Sequence, residues 1–182
     1  MYKRQLRAAE ARLRDAVEGE RWEDALLALD VLVTDPDEGD LYVPTKAGIL
    51  LSRLKDGERG YAYVKRIAEE HWSDNSWLLY QMAWLLSGNE QFPVEKERRD
   101  LDLALKYAQR AVDLDPCDYY CTMLAGIHAQ RGELDAAASA QRRAIELLEG
   151  LRPKILPHEL ETFEAELAAM RAKLAEYEAR GK

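Results

Sequence analysis

Cysteine is scarce in this chain of 182 residues, with Cys117 and Cys121 the whole complement. Three residues separate them, not the two of a C-x-x-C motif, and only His128 lies nearby as a further ligand, so no metal site is expected. Cys121 reads as a buried structural thiol and Cys117 as an incidental one. Long apolar runs are missing too: the longest, Trp77 to Leu86, is broken by Gln81 and is far short of the roughly 20 residues that span a bilayer. Alternating β-branched runs bounded by turn residues are absent, which removes the strand signal. There is no surplus of positive charge. The formal net charge is -8, and phosphate backbones are held mainly by lysine and arginine, so nucleic acid is not the expected partner. The densest charged run, Glu95 to Asp100, mixes both signs and reads as a solvated loop. No glycine-rich phosphate loop occurs. His71, His128 and His158 are scattered without a nucleophile or relay, so the chemistry of an enzyme is not expected, and neither is a cofactor.

What the chain does have is alanine, leucine, glutamate and arginine at helical spacing, and a repeat. Residues 101–116 (LDLALKYAQRAVDLDP) and 134–149 (LDAAASAQRRAIELLE) are near-copies 33 positions apart. Leu101 pairs with Leu134, Ala104 with Ala137, Arg110 with Arg143, Ala111 with Ala144 and Val112 with Ile145. A period of that size means stacked helical hairpins, and the shared small and apolar positions are the ones to be buried.

These copies resemble the second helix of the tetratricopeptide (TPR) hairpin, with an early alanine, another seven residues on, and the Asp115-Pro116 stop. In residues 119–131, Leu124-Ala125 resembles the large-small pair of the first helix, and Gly132 the glycine closing the hairpin turn. Met82-Ala83 and Ala47-Gly48 repeat the large-small or close-contact pair upstream, with Ala62 and Ala25 as early alanines; Arg14 stands where the first hairpin should have a small residue. The resemblance implies an all-α, right-handed superhelix of about four hairpins, near 4–34, 42–71, 75–115 and 118–149. Residues 1–150 form the repeats and 151–182 a long C-terminal helix. Solenoid repeats touch only their neighbours, so one elongated domain is the expectation. Ala83-Trp84, Arg99-Asp100 and Ala104-Leu105 also resemble the repeat tails of bacterial thioredoxin-like proteins, although no thioredoxin domain is present. Met1 to Gln5 (MYKRQ) spells the translation of a common transposase-adapter end, which raises the expectation of a fragment lacking an upstream region. No secretion signal is visible. The chain as given reads as cytoplasmic, and a missing N-terminal region would make it periplasmic or other.

In TPR proteins the first helices line a concave groove that binds peptides or partner proteins. On this register the groove positions are Tyr42, Thr45 and Ile49, then Trp77, Tyr80 and Trp84, then Tyr119, Thr122 and Gly126. Tyr42, Trp77, Tyr80, Trp84, Tyr119 and Thr122 are thus the candidate partner-binding residues, because aromatics offer large contact area at small entropic cost. The competing reading is that the aromatics are core, Trp84 and Tyr80 beneath the loop through Phe92-Pro93. The lysine, asparagine and arginine of a carboxylate clamp are absent from these positions. In the last helix Leu160, Phe163, Leu167, Met170, Leu174 and Tyr177 make a strict heptad seam. The seam implies either a cap over the final repeat or self-association with a second copy. A non-enzymatic interaction scaffold is the leading functional expectation. An oligomerisation module or the detached regulatory tail of a thioredoxin-like protein stands behind it.

Overall fold

The computed structural model describes residues 2–181; Met1 of the Met1–Gln5 reading and Lys182 of the expected C-terminal segment lie outside the described residues. Among the described residues the chain is all helical. Nine α-helices are present: α1 (Tyr2–Glu18), α2 (Trp22–Leu32), α3 (Gly39–Gly48), α4 (Gly57–Glu70), α5 (Ser76–Ser87), α6 (Leu101–Leu114), α7 (Asp118–Gln130), α8 (Leu134–Leu151) and α9 (Leu160–Arg180). They form two compact units. The first takes the chain up to His71 together with Gly88–Arg99; the second takes Trp72–Ser87 and the chain from Asp100 onward.

In the first unit, the α1–α2 turn puts Glu20 at φ 52°, and the Arg21 N–H donates to the Ala16 carbonyl at 2.8 Å. Ala9 and Ala16 of α1 are buried with Ala25, Ala28, Leu29 and Leu32 of α2. Arg14, at the expected small position, is exposed instead. α3 does not stop at Gly48 but widens into a π-type turn, Ile49–Arg53. Three consecutive residues there, Ile49, Leu50 and Leu51, are all buried, which an amphipathic helix with one apolar stripe does not achieve.

The close approach of α4 is made by glycine. Gly60 is the fourth residue of its helix, as Ala25, Ala104 and Ala137 are of α2, α6 and α8, and a Cβ on it would lie 2.6 Å from Leu51 Cδ2. The expected early alanine of this hairpin, Ala62, is exposed; it sits two residues past the contact, on the outer face. Gly48 is equally constrained, since a Cβ there would run into the Phe92 ring. Phe92 arrives on the loop Gly88–Arg99, which is tied down by several bonds. The Tyr61 hydroxyl donates to the Arg98 carbonyl, Arg98 donates to the Lys55 carbonyl at 2.6 Å, and Lys55 pairs with Glu95 at 2.5 Å. The apolar plug lies just before the charged run: Phe92 and Val94 are buried, whereas Glu95, Lys96 and Glu97 are exposed.

In the second unit, α5 is enclosed on most sides, with Leu78, Leu79, Met82, Ala83, Leu85 and Leu86 all buried. Asp100 caps α6 by accepting the Leu103 N–H at 2.9 Å, as Asp56 caps α4 through the Arg59 N–H at 3.0 Å; each satisfies an amide the helix leaves orphaned. Gly132 closes the α7–α8 turn at φ 81°, where an L-residue with a Cβ is strained. Ala125 of α7 and Ala137 and Ala138 of α8 form one buried cluster with Tyr177 of α9. α9 therefore packs back on α8, running the opposite way: a Cβ on Gly181 would lie 3.5 Å from Leu134 Cβ, and Arg142 pairs with Glu178 at 2.7 Å. Of the heptad seam, Phe163, Leu167, Met170 and Tyr177 are buried, Leu174 is half-buried and Leu160 is exposed.

Candidate partner-binding site

The densest aromatic arrangement lies in the second unit and begins at two helix starts. The Asn75 side chain accepts the Leu78 N–H at 3.0 Å and fixes the first turn of α5. Asp118, Tyr119 and Tyr120 open α7. Neighbouring helical positions point about 100° apart, so the Tyr119-Tyr120 pair sends one ring inward and leaves the other outside. Tyr120 is buried, while Tyr119 is 59% exposed. Both meet Tyr80 of α5, with ring centroids 4.8 Å from Tyr119 and 5.0 Å from Tyr120. Tyr80 itself is 5% exposed. Its phenol is driven well above the usual range, by burial first and then by its hydrogen bond with Tyr119. Burial likewise raises Tyr120, against a hydrogen bond with Ser76 that pulls the other way. Tyr119 thus presents a ring face held from behind by Tyr80 and Tyr120.

Of the candidate residues, the structure brings Tyr80 and Tyr119 together and adds Tyr120, which the repeat register missed. Its signal was the Tyr-Tyr pair at a helix start, where the 100° step between neighbours turns the second ring to a different face from the first. Trp77 and Trp84, on α5 with Tyr80, are half-buried, and Thr122 of α7 is exposed. Tyr42 belongs to the first unit. There it is half-buried, donates to Glu10 Oε1 at 3.1 Å, and has its phenol raised by burial and by that hydrogen bond.

The polar clusters behave as structure. His128 Nδ1 lies 2.7 Å from Glu133 Oε2, Arg131 Nε donates to Glu133 Oε1 at 2.8 Å, and Arg131 also pairs with Asp102. The hydrogen bond with His128, followed by that with Arg131, holds the Glu133 carboxyl below its ordinary value. His128 is therefore the polar tie of a hairpin turn. Burial raises the thiols of Cys117 and Cys121, which lowers the thiolate fraction that nucleophilic chemistry needs. Among the described residues no group of three or more histidine, cysteine or acidic side chains could hold a metal ion. Among the same described residues no helix is long and apolar enough to cross a membrane. In the first unit a cleft of about 310 Å³ is lined by Leu26, Leu50 and Tyr63, and two ion pairs among its lining residues, Lys46–Asp30 and Arg59–Glu23, occupy the charges it offers.

No protein-family profile and no curated protein sequence matches the chain. Among solved structures, the chain is similar to the crystal structure of MamA protein, a TPR-like protein, with a TM-score of 0.55 at 12% identity, over 97% of this chain and 89% of that one. At that identity the likeness establishes the fold: an all-α, TPR-like helical repeat. None of these comparisons links the chain to thioredoxin-like proteins.

Proposed function

We propose that the chain is a non-enzymatic protein-interaction scaffold, and that a partner segment lies across α5 and α7 with Tyr119 as its central contact. The observation that carries this reading is the exposed Tyr119 ring seated against the buried Tyr80 and Tyr120. A ring held in place before binding has little rotamer freedom left to lose, and aromatics of this kind are enriched among the few residues that dominate an interface. Trp77, Trp84 and Thr122 extend the surface along the same helices, and Tyr80 contributes as the support behind Tyr119. Tyr42 is the corresponding position of the first unit. We take α1–α8 as four hairpins and α9 as the cap of the last, an arrangement in which α9 offers its seam to α8 and not to a second copy.

The test is the double variant Trp77→Ala/Tyr119→Ala. A partner recovered with the wild-type chain and then titrated against both proteins should bind the variant about thirty-fold or more weakly, the size of a hot-spot truncation. Circular dichroism must show the variant folded. Equal binding by a folded double variant would remove this surface from consideration.

A further inference from the structure

The surface around Tyr119 carries charge of one sign. α5 (SWLLYQMAWLLS) and α7 (DYYCTMLAGIHAQ) hold neither lysine nor arginine, in a chain that has 26 of them. Their one acidic side chain is Asp118, beside Tyr119 in the first turn of α7. Thr122 stands one turn on from both, at i+4 from Asp118 and i+3 from Tyr119, so carboxylate, hydroxyl and ring border one strip of the helix. Asp115, exposed at the end of α6, adds a second carboxylate. Burial raises the Cys117 thiol and the Tyr120 phenol, and the negative charge of Asp115 raises both further, joined at Cys117 by Asp118. The two carboxylates therefore bear on the same group of side chains that seats Tyr119. Among the described residues no lysine, arginine or histidine pairs with either of them.

The cations of the flanking helices are engaged elsewhere. Lys106 and Arg110 lie over the Trp72 ring at 5.0 and 5.7 Å, and Arg110 donates to the Trp72 carbonyl at 2.9 Å. Arg142 pairs with Glu178 at 2.7 Å. Arg143 acts on Cys121, where it opposes the upward push of burial, and Cys121 is two positions, about 200°, round the helix from Tyr119.

A supported ring beside two carboxylates, with no cation of the chain competing for them, suits a guanidinium. Its flat face stacks on tyrosine while its N–H groups donate to carboxylate oxygens, a combination that the compact ammonium of lysine does not reproduce. An acidic segment would meet the same carboxylates as repulsion. Farther along the strip there is room for a chain to pass: at Gly126, two turns beyond Tyr119, a Cβ would meet nothing within 4 Å. Half-buried Trp77 and Trp84 line α5.

We propose that the partner segment is basic, with an arginine stacked on Tyr119 and held by Asp118 and Asp115, and with apolar side chains running on over Trp77, Trp84 and the open face at Gly126. This inference rests on the Tyr119 surface of the proposed function and adds the chemistry of what that surface takes.

The probe is a random peptide library displayed on phage and selected on the intact chain at low ionic strength. Selected peptides should be enriched in arginine beside apolar residues. The tightest of them, synthesised with a fluorescent label and titrated by anisotropy, should lose about ten-fold in affinity when its arginine is replaced by citrulline, which keeps the shape and removes the charge. On Asp115→Asn/Asp118→Asn the same replacement should cost about two-fold or less, because the two changes remove one interaction. On Glu161→Gln/Glu166→Gln, which takes two exposed charges from α9, the full loss should persist. Thermal melts check each fold, and if the aspartate pair is unstable Asp115→Asn and Asp118→Asn are read singly. Tyr119-dependent peptides without arginine overturn the basic partner and leave the Tyr119 surface standing, as does a citrulline loss that is equal on the wild-type and asparagine chains or that vanishes on the α9 control. Peptides that bind Tyr119→Ala as tightly as wild type, or a selection that yields none, remove the surface and this inference with it.

Discussion

The α7–α8 hairpin and the α3–α4 hairpin bring two helices together by different means. In the first, alanine faces alanine: Ala125 and Ala137 are wholly buried in one cluster. In the second, glycine faces leucine, with Gly60 receiving Leu51 and Gly48 receiving the Phe92 ring. The small residue sits at the same place in each second helix, four residues after the cap: Asp56 to Gly60, Asp100 to Ala104, Glu133 to Ala137. Spacing is therefore the constant of the fold. How small the residue must be depends on the bulk of what it meets, and close helix approach leaves a few ångströms of tolerance at most.

The largest effect should come from a charge placed in the alanine contact. Ala137→Asp forces an unpaired carboxylate between α7 and α8, at a cost of several kcal/mol, comparable to the whole margin of a domain. Helicity should fall, and an unchanged thermal melt would break the comparison outright. Next, Leu167→Glu should destabilise the second unit while light scattering reports no change of mass, because Leu167 is fully buried against its own chain. Loss of a dimer with the fold intact would instead assign the seam to a second copy. The glycine contact is sharpened by a matched pair. Gly60→Ala should cost about 1–3 kcal/mol through overpacking against Leu51. Gly126→Ala, where a Cβ meets nothing within 4 Å, should stabilise by up to about 1 kcal/mol through helix propensity. Equal melting shifts for the two would mean that Leu51 moves aside.

The smallest effect is one of pH. Glu133 has its carboxyl depressed in the folded state, so its contribution is present above the unfolded carboxylate value, about 4.3, and is lost as pH falls through the lower folded value. Melts of Glu133→Gln against wild type should differ at pH 6 and converge on acidification below pH 4; a difference that persisted there would assign it to geometry and not to charge.

The alanine contact was legible because it recurs: Ala104 with Ala137 and Ala111 with Ala144 stand at one period, and each is buried. The glycine contact was not, because a template that asks for alanine selects Ala62, the nearest one, two residues late. Counting from the Asp56 cap would have selected Gly60. Phe92 was beyond reach for another reason. Its partner Gly48 is distant in sequence, and a single aromatic in a polar loop carries no periodic signal. At the candidate site, Tyr119 and Tyr80 were found from the repeat register, whereas Tyr120 follows from the 100° step between neighbouring helical positions, and the register does not weigh that step.

The loop that delivers Phe92 also settles how this gene can be cut. Each compact unit is encoded in two pieces, and the coding sequence passes from one to the other three times, after His71, after Ser87 and after Arg99. A recombination breakpoint after Ser87 would transplant neither unit whole, one after His71 would strip the first unit of Gly88–Arg99, and one after Arg99 would strip the second of Trp72–Ser87. A fragment ending at His71 would carry Gly48 with an open hole where an aromatic ring belongs. A shuffled descendant that keeps α3 but loses residues 88–99 should be recognisable by a larger side chain at position 48.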